Sequence, residues 1–543
     1  MDEIGTFRGN NFESVEFGSG LISIGYQAFR DCDRLVGTNG EALKFPASLE
    51  VIDTLAFYHC NVLKGIEFVG DSNLEQIGKR AFESCVLLAS VTSTSATDTD
   101  LLVNDDAFKG CTALTYFELN NAETFGNNVL DGCKGLLTLK LPAATVLPKA
   151  AYDECTVLQY VDLSLMTELV DGMFKNLTSL IYIDIASVTS IGASAFYGCN
   201  NLVTVDITSA ETIGASAFYG CTSLTTVTAT SATVVGANAF DGCKLFTGIQ
   251  SYESLVSIGE YAFNDCISLT VVGGTLELPL AESIGTAAFY NCAITGFVLG
   301  PRVNFIGDRA LHNNNLLTIA VDEDNPYFKI VDGVLYDEGL TVLMYSPAKN
   351  TVASVTIPDS VLSIKPYAFQ GATKLKSVVF PTSSLSIGEY AFYASGISGK
   401  LTITEYVSSI GAYAFADCTA LTELVIETIS PDVLGAYAFK GCSSLESLTI
   451  PIKVQMVTDG KDPVFDTESN ITRYSFVGFG KSDLAANYYS TYATKMPWYY
   501  STPGTANISV SFADGVTDID AYMFKATAGN SRVLSINMPD TVT

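Results

Sequence analysis

The chain has 543 residues, with 58 acidic against 29 basic side chains, a net charge of −29, and 48% apolar but only 16% charged residues. Such acidity excludes nucleic acid as a partner, because neutralising phosphates takes Lys and Arg, and it argues equally against an anionic membrane surface. No apolar run reaches the roughly 18 residues of a membrane-spanning helix, and the opening "MDEIGTFRGN" has neither the basic nor the apolar region of a signal peptide.

From residue 1 to 320 the sequence repeats. "IGASAFYGC" stands at Ile191–Cys199 and again at Ile213–Cys221. Aligned on the Phe of "AF", the anchors are Phe29, Phe57, Phe82, Phe108, Leu130, Tyr152, Phe174, Phe196, Phe218, Phe240, Phe263, Phe289 and Leu311. The step is 22 residues throughout from Phe108 to Phe240 and mostly 22 to 28 elsewhere. In "LVTVDI" (Leu202–Ile207) the apolar places alternate with polar ones, which predicts a strand with one buried face. Gly214 then allows a bend, Ala217 is small enough for close approach, and Phe218 fills the interior. A unit this short buries its apolar face only against a neighbouring unit, so identical units stack into one core. Rungs about 4.8 Å apart are expected.

Residues 321–350 break the period. "NPYFKIVDGVLYDEGLTVLMYSP" (Asn325–Pro347) alternates apolar and polar residues, with Asp332-Gly333 and Glu338-Gly339 at the bends, and reads as an antiparallel island. The acids of "VDEDN" (Val321–Asn325) read as a solvated turn; a calcium loop is the alternative, without the spaced D-x-D-x-D-G ligands. Residues 351–450 resume the repeat, with anchors Phe369, Phe392, Phe415 and Phe439. Residues 451–507 read as a cap or linker with a short helix within Lys481–Tyr500, whose tyrosines offer a binding platform as the alternative. Residues 508–543 start a further repeat around Phe524. Both ends cut through repeats, which reads as a fragment of a longer protein.

All 13 Cys lie three residues after an anchor, from Cys32 to Cys442. A disulfide ladder is open on distance alone. The odd number, and Leu177, Asn314, Ala372 and Ser395 in the same slot elsewhere, favour buried thiols behaving as small hydrophobes. A metal site needs clustered ligands, and these run in a line.

The fold class that follows is a repeat solenoid, β-rich, with parallel sheets, short turns or helical turns between strands, and a small antiparallel island. The recurrent L-x-x-V-x-I followed by I-G-x-x-A-F-x-x-C resembles the BspA-like leucine-rich repeats of surface proteins of bacteria and some parasitic protists. The likeness spans roughly Gly5–Ile450, with another unit near Ile508–Pro539. It departs from ordinary leucine-rich repeats in that Cys199 precedes the strand, so long convex helices are not expected. The resemblance implies an extracellular or cell-surface protein that binds other proteins or matrix.

No catalytic constellation appears. His59 reads as a turn residue, and beside Cys60 it forms no nucleophile pair, since adjacent side chains need not converge. His312 occupies a comparable loop slot. P-loop, G-x-S-x-G and H-E-x-x-H motifs are absent, and no cofactor is expected. The sequons at Asn176, Asn470 and Asn507 matter only in a secretory eukaryotic host. The outward strand places are more informative. The third places carry Tyr116, Thr138, Tyr160, Tyr182, Thr204 and Thr226, and the fifth carry Glu118, Lys140, Asp162, Asp184, Asp206 and Thr228. Stacked Asp162, Asp184 and Asp206 repel across neighbouring strands, and Asp is a poor strand residue. A tyrosine stripe (Tyr116, Tyr160, Tyr182) beside an acid stripe (Glu118, Asp162, Asp184, Asp206) suits a basic, partly apolar protein or matrix ligand. The alternatives are a solvated sheet face on a stalk or self-associating spacer, and an enzyme appended outside this sequence.

Overall fold

The structure is a computed structural model that describes residues 6–93, 100–152, 154–271, 273–427 and 434–451, with the strands Val457–Thr458, Asp462–Pro463, Arg473–Val477, Ile508–Phe512 and Val533–Asn537. The chain divides into two compact units. The first holds residues 1–271, 278–293 and 305–310; the second holds 272–277, 294–304 and 311–543.

The first unit is a β-solenoid. Its main sheet has nine strands in parallel, from Leu43–Phe45 to Thr226–Thr228, each in register with the strand one repeat away. The "TIG" segments form return ladders on the other wall: five strands from Ser23–Ile24 to Ala122–Phe125 and seven from Glu168–Leu169 to Phe305–Ile306. Leu202, Val205 and Ile207 are buried, while Thr204 and Asp206 between them are exposed, as the alternation predicts. Between the walls the anchor rings stack. Phe196, Phe218 and Phe240 lie 5.0 and 5.1 Å apart, within 10° of parallel. Leu130 interrupts this column.

The link between Gly214 and Leu224 is a run of turns rather than a helical turn. Ala217 N, Tyr219 N, Cys221 N and Leu224 N each donate three residues back, and Ser216 and Gly220 take positive φ of 55° and 69°. The remaining amides point along the stack: Ser216 N donates to Ala237 O, Phe218 N to Ala239 O and Gly220 N to Asp241 O of the next coil, at 2.7–2.9 Å. Among the described residues the one helix is a single 3-10 turn, Lys149–Tyr152.

The glycine of "IG" serves a different purpose from the expected bend. Gly214 has no left-handed φ; a Cβ there would lie 2.6–2.7 Å from Gly192 C, Ala193 N and Ile191 O. At Gly214 the stacked coils touch backbone to backbone and hydrogen is the one substituent that fits, whereas Asp53, Asn104, Val170 and Lys365 stand in the same slot of other coils. Gly192, Gly236, Gly259 and Gly285 make the same close approach.

All thirteen cysteines are buried free thiols. Their slot is more specific than a small apolar hole. Cys221 Sγ donates to Phe196 O at 3.1 Å and Cys243 Sγ to Phe218 O at 3.0 Å, so each thiol ties its coil to the anchor carbonyl of the coil before. Burial pushes Cys85, Cys199 and Cys243 up to about 12, which makes them poor nucleophiles.

In the second unit, Thr275–Leu278, Gly296–Leu299 and Thr318–Val321 form a three-stranded sheet whose last strand ends it. The island follows as three antiparallel strands, Phe328–Val331, Val334–Asp337 and Val342–Tyr345. Its first bend is Asp332-Gly333, with φ of 50° and 74°, the geometry of a type I′ hairpin turn. Asp337 Oδ1 fixes the second by accepting from Thr341 N and Val342 N. Val342–Tyr345 then pairs in parallel with Ser363–Ile364 and starts a return ladder through Leu385–Ile387 and Val407–Ile410. Parallel pairing also links Ser447–Pro451, Arg473–Val477, Ile508–Phe512 and Val533–Asn537. The helix expected within Lys481–Tyr500 and the sequons Asn470 and Asn507 lie outside the described residues.

Candidate binding face

The outward places of the nine-stranded sheet hold the predicted stripe in register. Tyr160 pairs with Tyr182, Asp162 with Asp184, and Asp184 with Asp206. Parallel pairing with no stagger makes this contiguity follow directly from the 22-residue step. Tyr160 and Tyr182 are 45% and 48% exposed, large apolar rings left on an otherwise polar face. Burial of part of the ring, with Asp184, Asp162 and Asp206 nearby, raises the Tyr182 hydroxyl above its ordinary value. It therefore stays protonated and available as a donor.

Within this register the seven predicted residues fall into two groups, separated by Thr138 and Lys140. Tyr116 donates to Glu118 Oε2 at 2.9 Å, Lys140 Nζ lies 3.6 Å from Glu118 Oε1, and the same ammonium sits 5.6 Å from the centre of the Tyr116 ring. That rung is satisfied internally. Asp162, Asp184 and Asp206 have no cationic partner among the described residues.

A shallow depression of about 300 Å³ lies over Asp184 and Asp206, lined also by Tyr182, Thr204, Thr226 and Thr228 among others; Asp162 and Tyr160 stand outside it. The aspartates also have local work that strand propensity does not reveal. Asp206 Oδ1 accepts from Thr208 N at 3.0 Å and Thr208 Oγ1 at 2.5 Å, and Asp162 Oδ1 accepts from Ser164 N at 3.2 Å. Asp184 Oδ1 is more distant from its amide, Ala186 N, at 3.5 Å. Each carboxylate closes a turn at its strand end, so stability alone gives Asp a reason to be there.

The histidines stand apart from this face. His59 sits in a turn at φ 65°, its ring 5.0 Å from that of Tyr58. His312 lies in a turn, as expected, and is buried there, with Nε2 2.8 Å from Tyr367 O and its ring 4.7 Å from Tyr345. Among the described residues, no group of three or more His, Cys, Asp or Glu is placed to hold a metal ion. No helix there is long and apolar enough to cross a membrane.

A family model described as the BspA type leucine rich repeat region matches residues 3–99, 36–159, 92–203, 189–318 and 344–472. The span it skips, 319–343, holds most of the antiparallel island. Among solved structures, the chain is similar to a leucine-rich repeat protein from Eubacterium ventriosum, at 21% identity over 61% of this chain and 87% of that one, with a TM-score of 0.42. It is similar to a leucine-rich repeat protein from Bacteroides ovatus, at 18% identity over 77% and 88%, TM-score 0.33. It is also similar to the pneumococcal vaccine antigen PcpA, at 17% identity over 82% and 84%, TM-score 0.31. A comparison with curated proteins finds no match.

Proposed function

Because the chain belongs to the BspA-type leucine-rich-repeat family, we propose that it is a non-catalytic adhesion or binding protein, secreted or held at a cell surface. Its ligand is a protein or matrix component carrying basic and apolar groups, taken on the exposed sheet face at Tyr160, Tyr182, Asp162, Asp184 and Asp206. The observation that carries this reading is the contrast between neighbouring rungs. Lys140 stands opposite Asp162 in register but turns its ammonium to Glu118, whereas Asp184 and Asp206 beyond it have no cation on the neighbouring strand, beside two exposed rings. Unpaired like charges steer an oppositely charged partner, and exposed aromatic rings serve as anchors.

The test is affinity capture of a partner from a surface-protein extract, followed by binding kinetics. Asp184→Asn keeps an oxygen for the Ala186 amide and removes the charge. It slows association, more at low salt than at high salt. Tyr160→Ala and Tyr182→Ala speed dissociation. Unchanged rates in all three variants overturn the proposal. A second reading, a structural stalk, is favoured by the turn-closing bonds of Asp206 and Asp162, and it predicts that outcome.

A further inference from the structure

The break in the repeat leaves two strand edges facing one cleft. Thr318–Val321 ends its three-stranded sheet, and Phe328–Val331 ends the island's sheet; the two are not paired with each other. Asp322 N donates back to Leu299 O, so alternation along the strand turns the backbone of Ile319 and Val321 toward the open side. In the hairpin, Glu338 N donates to Tyr327 O. Its hydrogen-bonded pairs are therefore 327/338, 329/336 and 331/334, and the backbone of Ile330 faces outward. A cleft of about 440 Å³ lies here, lined by Ile319, Val321, Phe328 and Ile330, with Asp322, Glu323, Lys329 and Glu338 also in its wall.

The cleft is built rather than loose. Asn325, only 7% exposed, holds the connecting loop with all of its amide. Its Nδ2 donates to Gly300 O at 2.7 Å and Val303 O at 3.0 Å, and its Oδ1 accepts from Tyr327 N at 2.8 Å and Phe328 N at 3.1 Å. The charge is one-sided. Lys329 is held by Glu338 at 3.0 Å, and no cation among the described residues pairs with Asp322 or Glu323.

We propose that this cleft docks an extended basic peptide segment of a partner protein, which adds as a strand to the open edge at Ile319–Val321 and sets Lys or Arg against Asp322 and Glu323. Open edges take added strands through main-chain hydrogen bonds, and side-chain pockets give them selectivity. The carboxylates favour a basic segment over a second copy of this chain, whose net charge is −29. This site is separate from the tyrosine–aspartate face.

The probe is a fluorescein-labelled octapeptide, Lys-Val-Lys-Thr-Lys-Val-Lys-Thr, titrated into the full chain by fluorescence anisotropy. Its Glu-for-Lys counterpart and a version N-methylated at alternate residues are run beside it. The Lys peptide binds at least ~10-fold tighter than the Glu peptide and weakens with salt. The N-methylated peptide, which lacks ladder donors, loses binding with the protein unaltered. Val321→Pro removes an outward amide, a change an edge strand tolerates, and weakens binding about fivefold or more. Glu323→Gln weakens it several-fold. Equal binding of the N-methylated peptide, or of the Glu peptide, overturns the proposal. So does loss of binding in the Asp162→Asn, Asp184→Asn, Asp206→Asn triple variant with Val321→Pro unaffected, since that assigns the peptide to the other face. Self-association in sizing experiments that Val321→Pro abolishes makes the occupant a second copy, and equally overturns it.

Discussion

Replacing Gly214 by alanine places a methyl carbon 2.6 Å from Gly192 C and 2.7 Å from both Ala193 N and Ile191 O, where ordinary contact starts at 3.4 Å. All three are backbone atoms, so no side chain can swing away. The coils would have to part by about 0.8 Å, yet Gly214 N to Ile191 O (2.9 Å) and Gly236 N to Ile213 O (2.8 Å) tie them on both sides. The cost is therefore at the upper end for overpacking, about 3 kcal/mol. Gly220 separates this cause from backbone conformation. Its φ is +69° and nothing lies within 4 Å of a Cβ there, so Gly220→Ala costs about 1 kcal/mol, the price of a left-handed alanine. Gly25, with open space and no left-handed φ, is neutral on substitution or gains about 0.5 kcal/mol. Urea unfolding followed by circular dichroism ranks the three variants. Because repeat arrays open locally, hydrogen exchange read on peptides spanning residues 191–236 locates the damage. Equal losses for Gly214→Ala and Gly220→Ala would show that conformation, not coil contact, keeps the glycine.

Phe218→Ala removes a ring stacked on both sides and costs about 3–5 kcal/mol, whereas Thr226→Ala on the exposed face changes stability by less than about 0.5 kcal/mol; similar urea midpoints would invert the inward and outward assignment. Ellman titration finds few reactive thiols in the native chain and close to 13 after unfolding without reductant, and recovery of only one or two would reveal disulfides. The buried thiols hold a folded pKa above their unfolded value of about 8.5, so their contribution is intact below that pH and is lost as pH rises toward about 12; a urea midpoint that stays flat through this window contradicts the burial. Asp206→Ala loses the bonds to Thr208 and costs about 1 kcal/mol, while Asp184→Asn, relieved of its like-charged neighbours, gains some tenths of a kcal/mol at low salt; the opposite order would mean repulsion dominates at Asp206.

The inward and outward sides of each strand were legible because alternation is local: Leu202, Val205 and Ile207 identify their face without reference to other coils. The vertical contiguity of Tyr160 with Tyr182 was also legible, since a constant step leaves no room for stagger. What stayed hidden depends on which atom of the previous coil lies beneath. The glycine slot reads as a bend until Gly192 C is seen beneath Gly214. The cysteine slot reads as a small hydrophobe until Phe196 O appears 25 residues upstream of Cys221. Strand statistics count Asp206 as a misfit because they omit Thr208. The acids of residues 321–325 gave no sign of the cleft, whose shape rests on Asn325 reaching Gly300 and Val303.

The amides that point along the stack have an electrostatic consequence. In each coil such as Ala215–Gly220, three peptide planes are aligned. Ala215 O, Ala217 O and Tyr219 O accept from the coil before, and Ser216 N, Phe218 N and Gly220 N donate to the coil after. A strand cancels its peptide dipoles by alternation, but this column adds them, about 3.5 D per plane, as a helix does. Its positive pole faces the C-terminal direction of the stack. A carboxylate set beyond the last donors of such a column is stabilised, and the same carboxylate set before its first acceptors is repelled. Successive aligned bonds also polarise one another, so a coil flanked on both sides is bound more tightly than its own residues dictate.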